Sequence, residues 1–297
     1  MPLAILGLSL TAMLSWAPTA LAQERGEGPA DREAAQDRLV EAYRLLREDP
    51  WAAERAAKAA LAIDPAFDKA HSFLGWLYNV QLGKPKKALV HYDYLVAKAA
   101  DPRARADAMS QKGSLLFTEQ KDAKGALALY EKAYVLTESW RYADMASNLL
   151  LHVDQPLEAE AWARNALALL EPRAAATPSA RDVRGLERRT AAREALVKVK
   201  LQVATCRRIA GGADAAAALL EGLGEIPPSA RYNEALYRAA CGEADAALGA
   251  LRAYLANFKT AAGRNQLRVF IREEPCFKAL LSRPGFKELI TEEPQGA

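Results

Sequence analysis

The sequence holds few of the residues that carry most enzyme chemistry. Only three histidines and three cysteines occur in 297 residues. His71, His91 and His152 include no pair four residues apart with a flanking glutamate, which is the spacing that a zinc hydrolase helix requires. No glycine-rich phosphate loop ending in Lys-Ser or Lys-Thr is present, and neither is a Gly-x-Ser-x-Gly nucleophile elbow. The sequence therefore predicts no catalytic residue, no cofactor and no metal ligand.

A large excess of charge of one sign is also absent. Lysine plus arginine total 40 against 37 for aspartate plus glutamate, a net charge of +3, and the two signs are mixed along the chain. A nucleic-acid-binding protein usually carries a dense basic stripe with a far larger excess. Acidic pairs such as Glu273-Glu274 stand beside arginines and lysines, which is typical of solvated surface charge. We therefore predict no nucleic-acid partner.

Cys206, Cys241 and Cys276 all lie in the C-terminal third, and three thiols cannot all pair within one chain. Their spacing contains no Cys-x-x-Cys motif, which removes the simplest redox and zinc sites. Unpaired cysteine is among the most buried residue types, so the first expectation is three small apolar side chains on helices. A bridge between Cys206 and Cys241 is an alternative that the sequence leaves open.

The first 22 residues carry no charged side chain, unlike the rest of the chain. Their apolar run ends at Ala20-Leu21-Ala22, a small-x-small pattern typical of a signal-peptide cleavage site. No lysine or arginine precedes the run, so an uncleaved membrane anchor is the alternative interpretation. We predict a signal peptide over 1–22 that is cleaved after Ala22. The mature protein is then periplasmic or secreted, with no membrane span.

The sequence is rich in alanine, leucine, glutamate and arginine, which favour helices, whereas alternating β-branched runs are scarce. The rest of the chain also repeats itself. Three pairs of residues stand 38 positions apart: Gly75 and Gly113, Ala88 and Ala126, and Tyr92 and Tyr130. A fixed period of this length indicates a repeat architecture of helix pairs.

Small, aromatic or leucine residues recur in trios, spaced four and then three apart, which places each trio on one face of a helix. Small residues on such a face let neighbouring helices approach closely. The trios are Ala53, Ala57 and Ala60; Ala88, Tyr92 and Leu95; Ala126, Tyr130 and Ala133; and Ala159, Ala163 and Ala166. One helix pair cannot bury such a face alone, so the pairs are predicted to stack.

The segment from Leu74 to Tyr78, together with Ala88, Tyr92 and Leu95, resembles the tetratricopeptide repeat. That family has Leu-Gly-x-x-Tyr on its first helix and Ala-x-x-x-Phe-x-x-Ala on its second. Asp64-Pro65 and Asp101-Pro102 match the proline that ends each repeat of the family. The resemblance implies an all-α fold, a right-handed superhelical solenoid of antiparallel helix pairs.

The C-terminal tail holds two similar elements nine residues apart, Pro275-Cys276-Phe277-Lys278 and Pro284-Gly285-Phe286-Lys287. They resemble the end-of-group segment that closes some bacterial tetratricopeptide arrays, and imply a cap over the last apolar face. The resemblance and the breaks in pattern together predict this organisation: a linker over 23–31, roughly four helix pairs over 32–172, a loop or hinge over 173–185, two further pairs over 186–257, and the cap and tail over 258–297.

In tetratricopeptide arrays the first helix of each pair lines a concave groove, so the resemblance implies which side chains contact a ligand. The expected set is Lys69, Ser72, Trp76 and Asn79 from the second pair; Asp107, Ser110, Ser114 and Phe117 from the third; and Trp140, Ser147 and Leu150 from the fourth. Aromatic anchors among hydroxyls and an amide suit an extended peptide or a partner helix. Packing between repeats is the alternative for Trp76 and Trp140, and the core is the first expectation for Trp51 and Trp162.

These features favour a non-catalytic scaffold or adaptor of the bacterial envelope that binds a protein or peptide in the groove. One alternative is an enzyme, or an enzyme accessory, that acts on cell-wall material with a site at the hinge between the helical blocks. Another is a self-assembling structural array, which a good cap at Phe277 and Phe286 would disfavour. The sequence leaves the partner, the pathway and the oligomeric state open.

Overall fold

A computed structural model describes residues 29–291, except 178, 180–181 and 259–260. The predicted signal peptide over 1–22, its cleavage site, most of the linker over 23–31 and the tail from 292 lie outside the described residues. Within the described part the chain is helical and contains no strand, which confirms the predicted all-α class. The chain divides into two compact units between Leu115 and Leu116. No helix of the described part is both long and apolar enough to cross a membrane.

The first unit contains two complete helix pairs and the start of a fifth helix. Its helices are α1 (Pro29–Leu45), α2 (Pro50–Ile63), α3 (Asp68–Trp76), which continues as a π-helical turn over Leu77–Gln81, α4 (Pro85–Lys98) and the first part of α5 (Pro102–Gln120). Pro50 and Pro85 open their helices, where the missing N–H group has no partner to lose. The Asp49 carboxylate caps α2 by accepting a 2.8 Å hydrogen bond from the backbone N–H of Trp51.

The core of the first unit is built around small residues on facing helices. Ala53, Ala57 and Ala60 of α2 are fully buried, as is Ala88 of α4, so the predicted trio faces are confirmed here. Gly75 of α3 lies against the ring of Tyr92 so closely that a Cβ on Gly75 would come within 2.6 Å of the ring. A close helix-to-helix approach therefore requires glycine at this position.

The second unit begins with the last turns of α5 and holds nine further helices. They are α6 (Ala123–Thr137), α7 (Trp140–His152), α8 (Pro156–Ala175), α9 (Val183–Ile209), α10 (Ala213–Ala218), α11 (Arg231–Ala240), α12 (Ala244–Leu255), α13 (Ala261–Glu273) and α14 (Pro284–Ile290), with 3-10 turns at Pro228–Ala230 and Pro275–Leu280, counted over the described residues. Helices next to one another in sequence pack together from α6 to α10, and α11 packs on both α9 and α12.

Some observed boundaries differ from the predicted ones. The first helix begins at Pro29, inside the predicted linker, and α8 continues through Pro172 to Ala175. Because Pro172 stands in the last turn of α8, it removes one hydrogen bond and does not interrupt the packed part of the helix. The segment expected to be a hinge over 173–185 joins α8 and α9, which pack on each other within the second unit.

Helix α10 is shorter than the sequence pattern predicted. The apolar pattern continues to Leu223, but the helix ends at Ala218 and turns follow. Gly222 and Gly224 have φ angles of +68° and +74°, a left-handed conformation that a helix cannot contain. The chain thus leaves the helix before the apolar pattern stops.

The C-terminal elements cover the end of the last helix pair. Phe277 and Phe286 are fully buried, with ring centroids 6.1 Å apart, in one core with Leu236 of α11 and Leu251 of α12. Each ring follows a proline that opens its short helical element. The paired Pro-x-Phe elements thus supply the apolar cover that a terminal helix pair needs.

Candidate functional site

The largest exposed aromatic feature of the first unit lies on α1 and α3, and we call it the aromatic surface. It consists of Val40, Tyr43, Phe73, Trp76 and Val80. The Tyr43 ring stands edge-on to Phe73 at 4.7 Å, and the Phe73 and Trp76 centroids are 6.3 Å apart. Tyr43 is 56% exposed and Trp76 36%, whereas Phe73 is buried beneath them. Two rings are thus held at the surface by a third that is fixed in the core.

Valine side chains extend the aromatic surface along both helices. Val40 stands one turn before Tyr43 on α1, and Val80 one turn after Trp76, so each shares the helix face of its aromatic neighbour. Both valines are about half exposed. Isolated exposed apolar residues are ordinary on protein surfaces, but a contiguous group of this kind marks a binding site more often than chance.

Polar residues of the predicted groove lie on the same helix as Trp76. Lys69 is exposed, and Ser72 and Asn79 are half-buried, at spacings that follow one face of α3 and its π-helical turn. That turn carries a hydrogen bond from Leu82 N–H to the carbonyl of Leu77, five residues back. Such wide turns inside helices are frequent at functional positions. The structure therefore gathers the four predicted residues of the second pair on one face.

A buried polar contact fixes α3 on the preceding helix. The Tyr78 hydroxyl donates a 2.7 Å hydrogen bond to the Glu54 carboxylate of α2, which also pairs with Lys58 at 2.6 Å. Burial raises the pKa of Glu54, but the hydrogen bonds from Lys58 and Tyr78 outweigh it and hold that pKa below its usual value. The carboxylate is thus ionised and paired, and its bond to Tyr78 fixes the position of the helix that carries Trp76.

The predicted groove residues of α5 meet different environments. Asp107 is exposed, whereas Ser110 is buried and donates a 2.8 Å hydrogen bond to the backbone carbonyl of Asp107. Ser114 is half-buried and donates in the same way to the carbonyl of Ser110. The assignment of Ser110 to a ligand surface is therefore wrong, because its hydroxyl faces its own helix and has no access to a ligand.

The four predicted groove residues of the second unit are largely covered. Phe117 and Trp140 are half-buried and pack in apolar clusters, while Ser147 and Leu150 are buried. The assignment of Ser147 and Leu150 to an open groove is wrong in this structure. The reason is that α9, 27 residues long, packs against both α7 and α8 and places Cys206 beside Leu150.

The segment that follows α13 also lies against the end of α7. Glu274 is buried and accepts hydrogen bonds from His152 Nδ1 at 3.3 Å and from the Tyr232 hydroxyl at 3.2 Å. Burial raises the pKa of Tyr232 well above its ordinary value, and the Glu274 charge acts in the same direction. Cys276 packs beside Leu150 and Leu151 of α7. The C-terminal segment therefore covers a face that the register predicted to be open.

The three thiols are free, and no bond joins Cys206 to Cys241. Cys206 is fully buried, and burial raises its pKa to about 12, which makes it unreactive as a nucleophile. Cys241 and Cys276 are half-buried, so the expectation of buried thiols holds fully for Cys206 alone. Cys206 shares its apolar cluster with Cys276, not with Cys241.

The two remaining tryptophans differ from each other. Trp162 packs in the core of the second unit, with its ring 5.4 Å from that of Tyr134. Trp51 was expected in the core but is half-exposed, with the Lys84 ammonium 3.9 Å from its ring centroid. Trp51 stands second in α2, before the face that the buried alanines define, so the core does not reach it. A cation–π contact partly covers the ring instead.

Sequence reasoning missed Tyr43, Val40 and Val80. The helices α2 and α4 begin 35 residues apart, at Pro50 and Pro85, which places Tyr43 at the position of Tyr78 in the next pair. Tyr78 packs on Glu54 of the preceding helix pair, whereas no helix among the described residues precedes α1. Comparing the two pairs in register would have singled out Tyr43 as an aromatic residue without that cover.

The aromatic surface binds by shape and apolar contact and offers no reactive group. Within the described part of the chain, no group of three or more His, Cys, Asp and Glu side chains is placed to hold a metal ion. Rigid Tyr and Trp side chains supply large contact areas at a low cost in conformational entropy, which is why they dominate binding energies at protein interfaces.

No protein-family profile matches the chain, and no curated protein matches its sequence. Two solved structures are similar to it. One is pilF of Pseudomonas aeruginosa, with 19% identity over 84% of this chain and 99% of that chain, and a TM-score of 0.49. The other is a tetratricopeptide repeat protein from Parabacteroides merdae, with 15% identity over 87% of this chain and 98% of that chain, and a TM-score of 0.41.

At such low identities and TM-scores, neither likeness bears on function. The fold type follows from the chain's own helix pairs, in which alanines fill the trio positions, Gly75 meets Tyr92, and a Pro-x-Phe segment covers the last pair. The chain has a tetratricopeptide-type fold.

Proposed function

We propose that the protein is a non-catalytic scaffold or adaptor of the bacterial envelope, which binds a peptide or partner helix on the aromatic surface of its first unit. One observation carries the proposal: Tyr43 and Trp76 stand exposed on either side of the buried Phe73 ring. Side chains held in this way are ordered before a partner arrives, so binding costs little conformational entropy.

The chemistry of the surface selects the partner. Two aromatic rings and two valines offer contact to apolar anchors, while Lys69, Ser72 and Asn79 on the same helix offer hydrogen bonds to a backbone or to polar side chains. An extended peptide or an amphipathic helix presents both kinds of group at the spacing of a helix face. Truncating a central tryptophan or tyrosine at such an interface typically costs about 2 kcal/mol or more of binding free energy.

The placement in the envelope rests on the first 22 residues, with their apolar run and the Ala20-Leu21-Ala22 pattern. It is tested by fractionating cells that express the chain and sequencing the N-terminus of the recovered protein. A periplasmic or secreted protein that begins at Gln23 supports the proposal. A protein that begins at Met1 and sediments with membranes would support the uncleaved anchor instead.

Binding is tested by in-cell crosslinking and pull-down from the envelope fraction, with a photo-reactive residue at Val80. The test variant carries Tyr43→Ala and Trp76→Ala, and the control carries Trp51→Ala, which removes an exposed tryptophan of the same unit outside the aromatic surface. Circular dichroism verifies that each variant keeps its helices. We expect partner recovery to fall at least about tenfold in the double variant and to stay unchanged in the control.

Other outcomes of the same experiment identify the alternatives. Equal recovery by the double variant would show that the aromatic surface is not the binding site. Crosslinks to a second copy of the chain would favour the self-assembling array, although the buried Phe277 and Phe286 cover the C-terminal pair against end-to-end contact. Crosslinked cell-wall fragments without a protein partner would favour an enzyme or accessory protein.

A further inference from the structure

A small basic cavity lies where α12, α13 and α14 meet. Its volume is about 320 Å³, within the range of small-ligand sites. Three arginines line it, Arg252, Arg264 and Arg268, against one carboxylate, Glu288. Leu255 and Leu289 form apolar walls. The charges that line the cavity are thus three positive and one negative.

Two of the arginines are held in place by neutral groups. Arg268 is buried and donates from Nε to the carbonyl of Leu289 at 2.9 Å, and from Nη1 to the Asn265 side-chain oxygen at 2.8 Å. Arg264 donates from Nη1 to the carbonyl of Phe258 at 2.7 Å. These bonds orient both guanidinium groups, and a neutral acceptor leaves the positive charge in place.

The third arginine approaches the cavity across a glycine. Among the described residues, the Arg252 side chain has no hydrogen-bond or ion-pair partner. Its Nη2 atom lies 3.1 Å from the place that a Cβ on Gly285 would occupy, closer than ordinary side-chain contacts. The absence of a side chain at position 285 therefore lets the Arg252 guanidinium lie against the wall of the cavity.

We propose that this cavity binds an oxyanion, a carboxylate or phosphate group carried on a short apolar body. Arginine donates paired hydrogen bonds in a planar fork that fits both groups, and Arg252 has its donors available. Leu255 and Leu289 accommodate the apolar part of the ligand. The site lies in the second unit, so it is independent of the aromatic surface and of the function proposed for it.

Isothermal titration calorimetry of the full chain tests the site, with inorganic phosphate and succinate as probes at constant ionic strength. The test variant is Arg252→Gln. The control is Arg193→Gln, which removes the same charge from an exposed position on α9. We expect binding to the wild-type chain and to the control, and an affinity about tenfold lower or more in Arg252→Gln, because a charge-assisted hydrogen bond is lost.

The two probes distinguish the sources of the anion. Binding of phosphate alone assigns the site to phosphate groups, and binding of succinate alone assigns it to carboxylates; both results support the proposal. Gly285→Ala supplies a second variant, which displaces the Arg252 guanidinium and should weaken binding while Arg252 is retained. Binding of neither probe by the wild-type chain, or equal binding by Arg252→Gln, would overturn the proposal.

Discussion

His71 and His91 share one hydrogen bond between their Nδ1 atoms, which lie 3.0 Å apart. The Nε2 atom of His71 is 3.1 Å from the carbonyl oxygen of Pro65, which can only accept, so that nitrogen carries the proton. His71 Nδ1 is therefore the acceptor and His91 Nδ1 the donor. The His71 ring also stacks on Tyr94, with centroids 3.7 Å apart. Both rings are neutral in this arrangement.

The neutral histidine pair predicts a loss of stability in mild acid. Burial lowers the pKa of His91 to about 4, with the charges of His71 and Lys58 acting in the same direction, and burial lowers the pKa of His71 as well. Because both folded-state pKa values lie below those of the unfolded chain, the unfolded state binds more protons between about pH 6.5 and 4. The stability contributed by the neutral pair is present above that window and lost as the pH falls through it.

We expect this loss to be about 1–2 kcal/mol, less than the full shift implies because His91 is partly exposed. Urea unfolding at pH 7.5 and pH 5 measures it. His91→Leu removes the titrating group and should flatten the pH dependence over this window. His152→Gln, which changes a histidine of the other unit, should leave this contribution intact. A pH dependence in His91→Leu equal to that of the wild-type chain would refute the expectation.

Gly75→Ala should destabilise the first unit. The added Cβ would lie 2.6 Å from Cε1 of Tyr92, so the ring or the helix must move. Overpacking of this kind costs about 1–3 kcal/mol. Gly249→Ala is the matched control, because Gly249 stands in α12 with nothing within 4 Å of its Cβ position. That change should stabilise by about 0.5–1 kcal/mol through helix propensity, and opposite signs in thermal unfolding of the two variants test the packing.

Tyr78→Phe should weaken the contact that fixes α3 on α2. It removes the 2.7 Å hydrogen bond to Glu54 and leaves that carboxylate with Lys58 alone. We expect a loss of about 1–2 kcal/mol in the free energy of unfolding. Tyr43→Phe, at the corresponding position of the first pair, removes the hydroxyl of an exposed ring and should change it by less than about 0.5 kcal/mol. Equal effects in the two variants would show that the Glu54 bond does not stabilise the unit.

Glu274→Gln should loosen the C-terminal segment from α7. Its carboxylate accepts from His152 and Tyr232, and an amide replaces one of those acceptor oxygens with a donor. We expect a cost of about 1–3 kcal/mol, together with faster amide hydrogen exchange over residues 274–290. Glu273→Gln changes the exposed neighbour and serves as the control. Exchange rates that match between the two variants would contradict a role for Glu274.

The periodicity of small residues predicted the fold well. The trios of α2 and α8, Ala53, Ala57, Ala60, Ala159, Ala163 and Ala166, are all fully buried. Spacing along a helix fixes which residues share a face, and a face of alanines is useful only when another helix lies against it. The same reasoning overestimated α10, because left-handed glycines end it five residues before the apolar pattern does.

The candidate site was predicted only in part. The register placed Lys69, Ser72, Trp76 and Asn79 on one face, and the structure agrees. It also placed Ser110, Ser147 and Leu150 at a surface, where the structure has them buried. A register assigns a residue to a face of its own helix. It contains no information on which later segment covers that face.

The sequence by itself determined the helical class, the pairing of the helices and the closing Pro-x-Phe elements, because these follow from spacing, helix propensity and proline within a few residues of one another. Only the tertiary structure decided what stays exposed. Tyr43 and Phe73 are 30 residues apart in sequence, His152 and Glu274 are 122 apart, and both contacts depend on where whole helices lie. A contact between distant segments depends on the packing of all the helices between them, and no local pattern records that packing.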